Sequence, residues 1–435
     1  MRSYIAFLCV LALLLGVTGC AGESGGSLTV YDASGGVLAT ANAVDDTNGF
    51  LRYTIDEAIG VLIERYDLTR EEAEKRLFSG GYAIDSTADP TVMAAVEAAY
   101  GDQTMPFGCA VTDLSGKVLA VYSGGKEDFA LLGHSPHSSI KPLSVYAPAM
   151  DEGLLDWSST IEDKPYKKLK GEKGDLVDWP VNPTDQYTYQ PVLLYDCLQQ
   201  SLNTTAVHSL KTLGTEKALS FLQQSFGWDV SFEQEKQEKQ GEEEILGNVA
   251  LGTLYKGVTP IQLAGAYQIF GTGGRYEAPH AVIAIRDAEG KTVYTYQSEK
   301  TQVIREDTAS IMNRLLKGVV SVGGTGVAAK AKGTELIGKT GTGTDDTDNW
   351  FVGVTPEYSC AIWHGEGNED NIAAELFTKI FEQMPTPTKK TFAMRGSVKK
   401  VVLCTESGLQ VSADCGNIKI GYYAANRVPA ICDKH

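Results

Sequence analysis

The stretch SSIKPL, residues 138–143, places a hydroxyl and an amine three residues apart, at Ser138 and Lys141. Residues three apart lie on the same face of a helix, so we expect the two side chains to point the same way. Apolar residues recur with helical period over residues 140–150, which predicts the beginning of a half-buried helix that Pro148 kinks or ends. A neutral lysine beside a serine can accept its proton, so the pair is a candidate for nucleophilic catalysis.

The same serine–lysine spacing occurs at two other places, Ser123–Lys126 and Ser397–Lys400. Two glycines follow Ser123 directly, and glycine disfavours a helix there. Ser397 lies in the C-terminal tail, beyond the other candidate motifs. Only the pair at residues 138–141 opens a plausible helix, and its assignment depends on two further motifs.

The second motif is the pair formed by Ser201 and Asn203. Apolar residues at 193–198 indicate a short helix that stops before the pair, and a second helix is predicted from Thr204. The pair therefore lies in a tight joint between two helices, where both side chains can point into a cleft. Serine and asparagine are also common helix caps, so a capping role is the alternative.

The third motif is the stretch KTGT, residues 339–342, which follows a short apolar run. A polar turn and two more apolar runs come next, at residues 350–354 and 359–363, so we predict three adjacent antiparallel strands. Gly341 would let a ligand backbone approach the strand closely. Lys339 and the threonine hydroxyls can bind a carboxylate; the alternative is an ordinary lysine on an edge strand before a turn.

Composition limits the kind of protein. The 435 residues allow one large domain or two to three ordinary ones, and 43% of them are hydrophobic, enough for a packed core. The formal net charge is −17, which argues against a nucleic-acid partner because phosphates repel an acidic surface.

The N-terminus has the pattern of an export signal. Arg2 precedes an apolar stretch at residues 5–17 that is too short to span a bilayer comfortably. The stretch ends in VTGC, residues 17–20, and resembles the bacterial lipoprotein signal. This resemblance implies a lipid on Cys20 and a lipid-anchored location at the extracytoplasmic face of the bacterial cell membrane. An ordinary signal peptide or an uncleaved anchor is the alternative.

The eight cysteines have no metal-binding spacing. No pair is spaced C-x-x-C and no histidine pair is spaced H-E-x-x-H, so we expect no metal site and no cofactor. Cysteines in apolar stretches are expected to be buried small hydrophobes: Cys109, Cys197 and Cys360. Three more lie in the tail: Cys404, Cys415 and Cys432. In an exported protein the tail can form one disulfide among these three.

The segments between the motifs indicate hairpins and helices. Hairpins are predicted at three places: residues 28–40, 107–122 and 282–296. Helices are predicted to begin with capping boxes at Thr54 and Thr69, and a third helix begins at Pro90. Residues 155–190 are predicted to form a long surface connection, and the charged run at 233–244 a solvated surface.

The three motifs occur together, serine–lysine first, in penicillin-binding proteins and class A β-lactamases. From about residue 82 to residue 435 the chain resembles the transpeptidase half of bifunctional (class A) penicillin-binding proteins. Four further stretches carry the resemblance: ALG at 250–252, KGVTP at 256–260, NWFVG at 349–353 and PAIC at 429–432. Residues 28–80 resemble only fragments of that family's N-terminal half, without its acidic glycosyltransferase motifs.

The resemblance implies an α+β fold of the penicillin-binding transpeptidase and serine β-lactamase kind, with a five-stranded antiparallel sheet and helices on both faces. It also divides the chain into four segments: a lipoprotein signal peptide at 1–20, a linker and small N-terminal region at 21–95, a transpeptidase domain at 96–385 and a cysteine-containing tail at 386–435.

The resemblance further implies a role for each motif residue. Ser138 would attack the carbonyl of the penultimate D-alanine of a peptidoglycan stem peptide, and Lys141 would accept its proton. Ser201 would relay the proton to the leaving group, and Asn203 would orient Lys141 and the substrate amide. The third motif would hold the terminal carboxylate through Lys339, Thr340 and Thr342, with Gly341 between them. The backbone N–H groups of Ser138 and Thr342 would form an oxyanion hole.

Two features bear on this chemistry. A lysine that acts as a base at neutral pH needs a pKa about three units below the ~10.4 of a free lysine, and burial of Lys141 beside the charge of Lys339 acts in that direction. The family usually has glycine directly before the nucleophile, whereas this chain has His137, which crowds the start of the helix.

The implied activity is that of a D,D-transpeptidase that cross-links peptidoglycan through a serine acyl-enzyme and is inhibited by β-lactams. The implied partners are stem peptides, β-lactams, the membrane through the lipid anchor, and a separate glycan polymerase. The alternatives are a β-lactamase or penicillin sensor of the same fold, and a catalytically idle cell-wall scaffold. Glu243 and Glu244 are the nearest candidates for the water-activating base of a β-lactamase, but they end a charged run typical of a solvated surface.

Overall fold

A computed structural model describes residues 26–43, 49–101, 105–171, 174–343, 347–365 and 371–434. The predicted signal peptide at residues 1–20, including Cys20, lies outside the described residues. Within the described ranges, no helix is long and apolar enough to cross a membrane.

The strands of the described residues are numbered in chain order: β1 (Leu28–Tyr31), β2 (Val37–Ala41), β3 (Ala83–Ser86), β4 (Phe107–Asp113), β5 (Val118–Gly124), β6 (Thr160–Glu162), β7 (Lys167–Lys170), β8 (Leu176–Trp179), β9 (Pro191–Leu193), β10 (Arg275–Tyr276), β11 (Val282–Arg286), β12 (Thr292–Thr295), β13 (Thr301–Gln302), β14 (Ile337–Gly341), β15 (Asn349–Val354), β16 (Tyr358–His364), β17 (Val398–Cys404) and β18 (Ile418–Ala424).

The α-helices are numbered in the same way: α1 (Gly49–Tyr66), α2 (Arg70–Ser79), α3 (Pro90–Tyr100), α4 (Ala147–Asp151), α5 (Leu194–Gln199), α6 (Asn203–Leu213), α7 (Thr215–Phe226), α8 (Ser231–Gln240), α9 (Leu246–Leu251), α10 (Pro260–Tyr267), α11 (Ile269–Thr272), α12 (Glu306–Val319) and α13 (Ile372–Gln383). Three other helical segments are a 3-10 helix at His137–Ile140, a π-helix at Pro142–Tyr146 and a 3-10 helix at Glu242–Glu244.

The central sheet has five antiparallel strands in the order β14-β15-β16-β4-β5. Side chains alternate between its faces, so that on β15 Trp350 and Val352 join one hydrophobic core and Phe351 joins another. Helix α10 packs on the first face, and α3 and α13 pack on the second. The predicted α+β class, with a five-stranded antiparallel sheet and helices on both faces, is confirmed, as are the three adjacent strands around the KTGT stretch.

A second five-stranded sheet joins the N-terminal region to the middle of the chain. Its order is β12-β11-β3-β1-β2, with β1 parallel to β3 and the other pairs antiparallel. The predicted hairpins at residues 28–40 and 282–296 are confirmed. Their union in one sheet was not predicted, because it pairs residues as distant as Ile84 and Ile285. The domain boundaries given above stay a prediction.

Two of the three predicted helix beginnings are confirmed. Thr69 and Glu72 form a reciprocal capping box at the start of α2, and Asp89 caps α3 before its proline. The capping box predicted at Thr54 is wrong. Helix α1 already begins at Gly49, and the Thr54 hydroxyl donates to a carbonyl one turn earlier in the same helix.

Glu57, the expected partner in that capping box, instead ties α1 to β11. Its carboxylate accepts hydrogen bonds from the backbone N–H groups of Ala281 at 2.6 Å and Val282 at 3.3 Å. Burial raises the pKa of Glu57 to about 7, although the two hydrogen bonds lower it.

We expect the free energy of unfolding of the parent chain to fall as the pH rises, and we expect Glu57→Gln to lack this fall. The pKa of Glu57 is higher in the folded chain than its ordinary value of 4.5, so the associated stability is present below pH 4.5 and is lost as the pH rises through about 7. The difference corresponds to about 3 kcal/mol. Urea unfolding of both proteins at about pH 4 and pH 8 measures it, and equal pH dependences of the two proteins would contradict the assignment.

Two surface assignments need correction. The segment 155–190 contains strands β6, β7 and β8 and two buried polar residues, Asp163 and Asn182, so it is not only a surface connection. The charged run is mostly solvated as predicted, except that Glu233 is fully buried on α8. Its carboxylate accepts a hydrogen bond from the backbone N–H of Tyr255 at 2.7 Å, which compensates part of the cost of burial.

Candidate active site

The serine–lysine motif lies at the start of one helical stretch, residues 137–151, that changes from 3-10 to π to α geometry. The stretch continues through Pro148 to Asp151, so of the two predicted effects of Pro148 the ending of the helix does not occur. The π-helical turn just before it is a common adjustment where the regular hydrogen-bond pattern is interrupted. Residues 139–150 are all buried, so the predicted half-buried helix is instead a core helix.

Two side-chain contacts fix this core helix. The Tyr267 hydroxyl of α10 donates to the backbone carbonyl of Ser139, and the Ser144 hydroxyl donates to the carbonyl of Val249 at 2.8 Å. Ser138 itself is half-buried. Its hydroxyl makes no hydrogen bond to another described residue.

Lys141 is fully buried and faces the second motif. Its Nζ donates to the backbone carbonyl of Ser201 at 2.8 Å and to Asn203 Oδ1 at 2.6 Å. Burial holds the pKa of Lys141 well below its usual value, and the charge of nearby Lys339 lowers it further. These are the two causes that the sequence predicts for a neutral lysine.

Ser201 lies between the two buried lysines. Its hydroxyl accepts a hydrogen bond from Lys339 Nζ at 2.7 Å, while its carbonyl binds Lys141. The φ of Ser201 is 56°, in the left-handed region that few serines occupy, and this tight turn presents both oxygens to the lysines. Lys339 is fully buried too, and burial lowers its pKa to about 7. The three motifs therefore meet at one place.

A buried polar network that the sequence did not reveal supports this joint. Asn182 accepts hydrogen bonds from the backbone N–H groups of Asn203 at 2.9 Å and Thr204 at 3.2 Å. Asp163 in turn accepts from the Asn182 amide at 2.7 Å and the Thr204 hydroxyl at 2.6 Å. Burial raises the pKa of Asp163, but its hydrogen bonds outweigh burial and lower the pKa overall.

This network decides between the two interpretations of Asn203. Asn182 satisfies the first N–H groups of α6 from outside, and neither Asn203 nor the residue before it caps the helix with a side chain. The Asn203 carboxamide is therefore free to hold Lys141 through Oδ1, while its Nδ2 donates to the carbonyl of Val181 at 2.6 Å. The capping alternative does not apply.

In the third motif, Gly341 allows β14 to lie against the nucleophile segment. A Cβ at this position would come within 2.6 Å of the carbonyl oxygen of Pro136 and 3.1 Å of the N of Ser139. The close approach that the structure shows is to the protein's own backbone. The Thr340 hydroxyl lies 2.7 Å from the Thr325 hydroxyl, and Thr342 is exposed just beyond the strand.

His137 occupies a backbone conformation that favours glycine. Its φ is 46°, in the left-handed region, which glycine occupies without the steric cost that histidine has there. The ring Nε2 lies 3.4 Å from Asp348 Oδ2, and Asp348 also accepts from the Trp363 indole N–H at 2.7 Å. Burial raises the pKa of Asp348, but the hydrogen bonds from His137 and Trp363 outweigh it and lower the pKa.

The other two serine–lysine pairs are not built as sites. The Ser123 hydroxyl donates to Asp128 at 2.7 Å and accepts from the N–H of Ala130, which is a structural role at the end of β5. Ser397 is exposed directly before β17. Neither serine has the buried lysine pair that surrounds the first motif.

Glu243 is engaged at the surface. Its carboxylate accepts hydrogen bonds from the Tyr166 hydroxyl at 2.7 Å and from Lys211 Nζ at 3.1 Å. Its side chain is 47% exposed. It therefore belongs to a surface ion-pair cluster and not to the cleft of the three motifs.

A family model, the penicillin binding protein transpeptidase domain, matches residues 113–382, more than half of the chain. The chain belongs to the penicillin-binding protein transpeptidase family. Penicillin-binding protein 1F of Bacillus subtilis is 31% identical over 364 residues, covering 78% of this chain and 47% of that protein. Penicillin-binding protein 1A of Clostridium acetobutylicum is 28% identical over 374 residues, covering 78% and 45%. The chain spans about half the length of the curated relatives it matches.

Solved structures share the fold. The D,D-transpeptidase domain of a peptidoglycan glycosyltransferase from Eggerthella lenta has a TM-score of 0.63 at 19% identity, covering 83% of this chain and 98% of that one. Penicillin-binding protein 1A of Haemophilus influenzae has a TM-score of 0.68 at 14% identity, covering 94% and 99%. The fold expected from the resemblance is therefore confirmed.

Proposed function

We propose that this chain is a D,D-transpeptidase that cross-links peptidoglycan stem peptides through an acyl-enzyme on Ser138, and that β-lactams acylate the same serine. One observation carries the proposal: Lys141 and Lys339 are both fully buried and meet at Ser201, and Lys141 follows the half-buried Ser138 by three residues on one helical stretch. A buried, uncharged lysine is what a serine nucleophile needs as its base.

The chemistry follows from these contacts. Lys141 takes the Ser138 proton as the hydroxyl oxygen attacks the carbonyl carbon of the penultimate D-alanine, and Asn203 holds Lys141 in place. Ser201 relays the proton to the nitrogen of the leaving D-alanine, and an acceptor amine then attacks the ester. Lys339 and the threonines of the KTGT stretch bind the terminal carboxylate. Backbone N–H groups of Ser138 and Thr342 stabilise the oxyanion by roughly 3 kcal/mol per donor.

A direct test uses the full chain in detergent with a stem pentapeptide and an amine acceptor. We expect a cross-linked product together with free D-alanine, both detected by mass spectrometry. Release of D-alanine without a cross-link would indicate that trimming dominates, and neither product would contradict the proposed activity.

The main rival is a β-lactamase, which differs in how fast water frees the serine. Fast hydrolysis needs a positioned base next to the acyl-enzyme. Glu243 is bound to Tyr166 and Lys211 at the surface, and Glu244 is exposed. The buried lysines argue in the same way against an idle scaffold, because burying two lysine amino groups is costly without a use for them.

We therefore expect the penicilloyl ester on Ser138 to persist for minutes or longer. The physical reason is that the two candidate bases, Glu243 and Glu244, are exposed at the surface. The measurement is the decay of fluorescent penicillin on the protein after a chase with unlabelled drug, with nitrocefin hydrolysis in parallel. Turnover of several drug molecules per second would identify a β-lactamase instead.

Membrane attachment through a lipid on Cys20, at the extracytoplasmic face, is part of the proposal and rests on the VTGC ending of the leader. Intact-mass analysis of membrane-extracted protein tests it, and a mature chain without added lipid mass would refute it.

A separate glycan polymerase is the proposed supplier of glycan strands, because residues 28–80 lack the glycosyltransferase motifs.

A further inference from the structure

Three cysteines of the tail converge from separate segments. Cys404 ends β17, Cys415 lies in the connection to β18, and Cys432 lies in the last described segment. Their sulfur atoms all lie within 4.8 Å of one another. Cys404 and Cys432 are buried, and Cys415 is partly exposed. The sequence allowed one disulfide among these cysteines and predicted no metal site, but it did not predict the meeting of all three thiols.

The backbone holds this cluster together. The Cys432 N–H donates to the carbonyl of Gln410 at 2.7 Å, and the Gln410 N–H donates to the carbonyl of Ala430 at 2.8 Å. These bonds hold the C-terminal segment beside the connection between β17 and β18. Backbone hydrogen bonds therefore place Cys432 near the other two cysteines.

The geometry points to a metal site: we propose that Cys404, Cys415 and Cys432 bind one zinc ion, with water as the fourth ligand. Zinc–sulfur bonds of about 2.3 Å in a tetrahedral site place the sulfurs about 3.8 Å apart, a small contraction from the observed cluster. A disulfide requires about 2.0 Å between two sulfurs and would leave the third thiol unpaired. A zinc ion uses all three.

Two further polar groups contact the sulfurs. The Ser407 hydroxyl donates to Cys432 Sγ at 3.2 Å, and the Ser412 N–H donates to Cys415 Sγ at 3.3 Å. Hydrogen bonds from neighbouring groups orient the atoms that bind a metal. The partial exposure of Cys415 gives the ion a path from solvent and gives the fourth ligand, water, its place.

The binding step balances simply. A zinc dication displaces three protons from the three thiols, which leaves a zinc–thiolate centre with one net negative charge and changes no oxidation state. The ion would join the end of β17, the connection to β18 and the C-terminal segment. A two-stranded hairpin is marginal alone, so such a cross-link would stabilise the tail.

The test uses the full chain extracted from cells without reductant. We expect one zinc per chain by inductively coupled plasma mass spectrometry. After removal of zinc with a chelator, titration with Co²⁺ alone should produce a thiolate-to-cobalt band in the near ultraviolet that saturates at one equivalent. Zinc should also protect three thiols from alkylation, and this count needs no variant.

Cys404→Ser, Cys415→Ser and Cys432→Ser are each expected to lose most of the cobalt band. The matched control is Cys197→Ala, which removes a buried cysteine outside the cluster and should keep the band. Two outcomes overturn the proposal: a peptide mass showing two of the tail cysteines joined as a disulfide in the native protein, or sub-stoichiometric metal with no cobalt band in the unmodified chain.

Discussion

Ser138→Ala is expected to abolish covalent labelling by a fluorescent penicillin while the fold persists. The Ser138 oxygen is the proposed attacking atom, and alanine has no atom that can form the ester. Because the hydroxyl makes no hydrogen bond to another described residue, we expect its removal to change the free energy of unfolding by about 0.5 kcal/mol or less. Gel fluorescence after incubation with the drug, together with thermal unfolding of the same sample, measures both effects.

The chain supplies its own matched controls. Ser397→Ala removes an exposed serine with the same spacing to a lysine, and it should label like the parent chain. Ser123→Ala breaks the hydrogen bonds with Asp128 and Ala130 and should lose some stability, yet the folded fraction should still label. A covalent label on Ser138→Ala would place the nucleophile elsewhere.

Lys339→Met is expected to slow acylation at neutral pH by about 100-fold and to move its pH profile to higher pH. A positive charge beside Lys141 disfavours protonation of Lys141 and so lowers its pKa. Without that charge the pKa of Lys141 rises, and a smaller fraction of Lys141 is neutral at a given pH. The pH of half-maximal acylation must therefore increase.

Acylation rates measured from about pH 6 to pH 10 distinguish two roles of Lys339. In one, its charge lowers the pKa of Lys141; in the other, it only binds the substrate carboxylate. The control is Lys330→Met, the same substitution at an exposed lysine before β14, and its profile should match that of the parent. A slower Lys339→Met enzyme with an unchanged pH midpoint would mean that Lys339 acts only through the substrate carboxylate.

The elements that could be predicted are those that nearby residues determine. The hairpin of β4 and β5, the capping box at Thr69 and the three strands from β14 to β16 follow from alternation, turn residues and caps within a few positions. The predicted features that proved wrong depend on where a helix begins or on contacts between separate elements. Thr54 lies inside α1 because that helix begins earlier, and Glu233 is buried because α8 turns it toward Tyr255.

The buried polar network that supports the candidate site was not predicted either, because it depends on contacts between separate segments. Asp163 and Asn182 lie in a segment rich in proline and charge, and no local pattern distinguishes them from surface residues. They matter because the segment folds back onto the first turn of α6, where Asn182 takes over the capping of its N–H groups. That leaves the Asn203 side chain for Lys141.

The sequence by itself determined the three motifs, their order, and the family to which the chain belongs, because each motif is a short run of residues with its own local chemistry. Only the tertiary structure decided that Lys141 and Lys339 meet at Ser201, which lies 60 residues from one lysine and 138 from the other. It also decided that both lysines are fully buried. The pKa of a lysine depends on the water it loses and on the charges beside it, and both are set by the packing of distant segments.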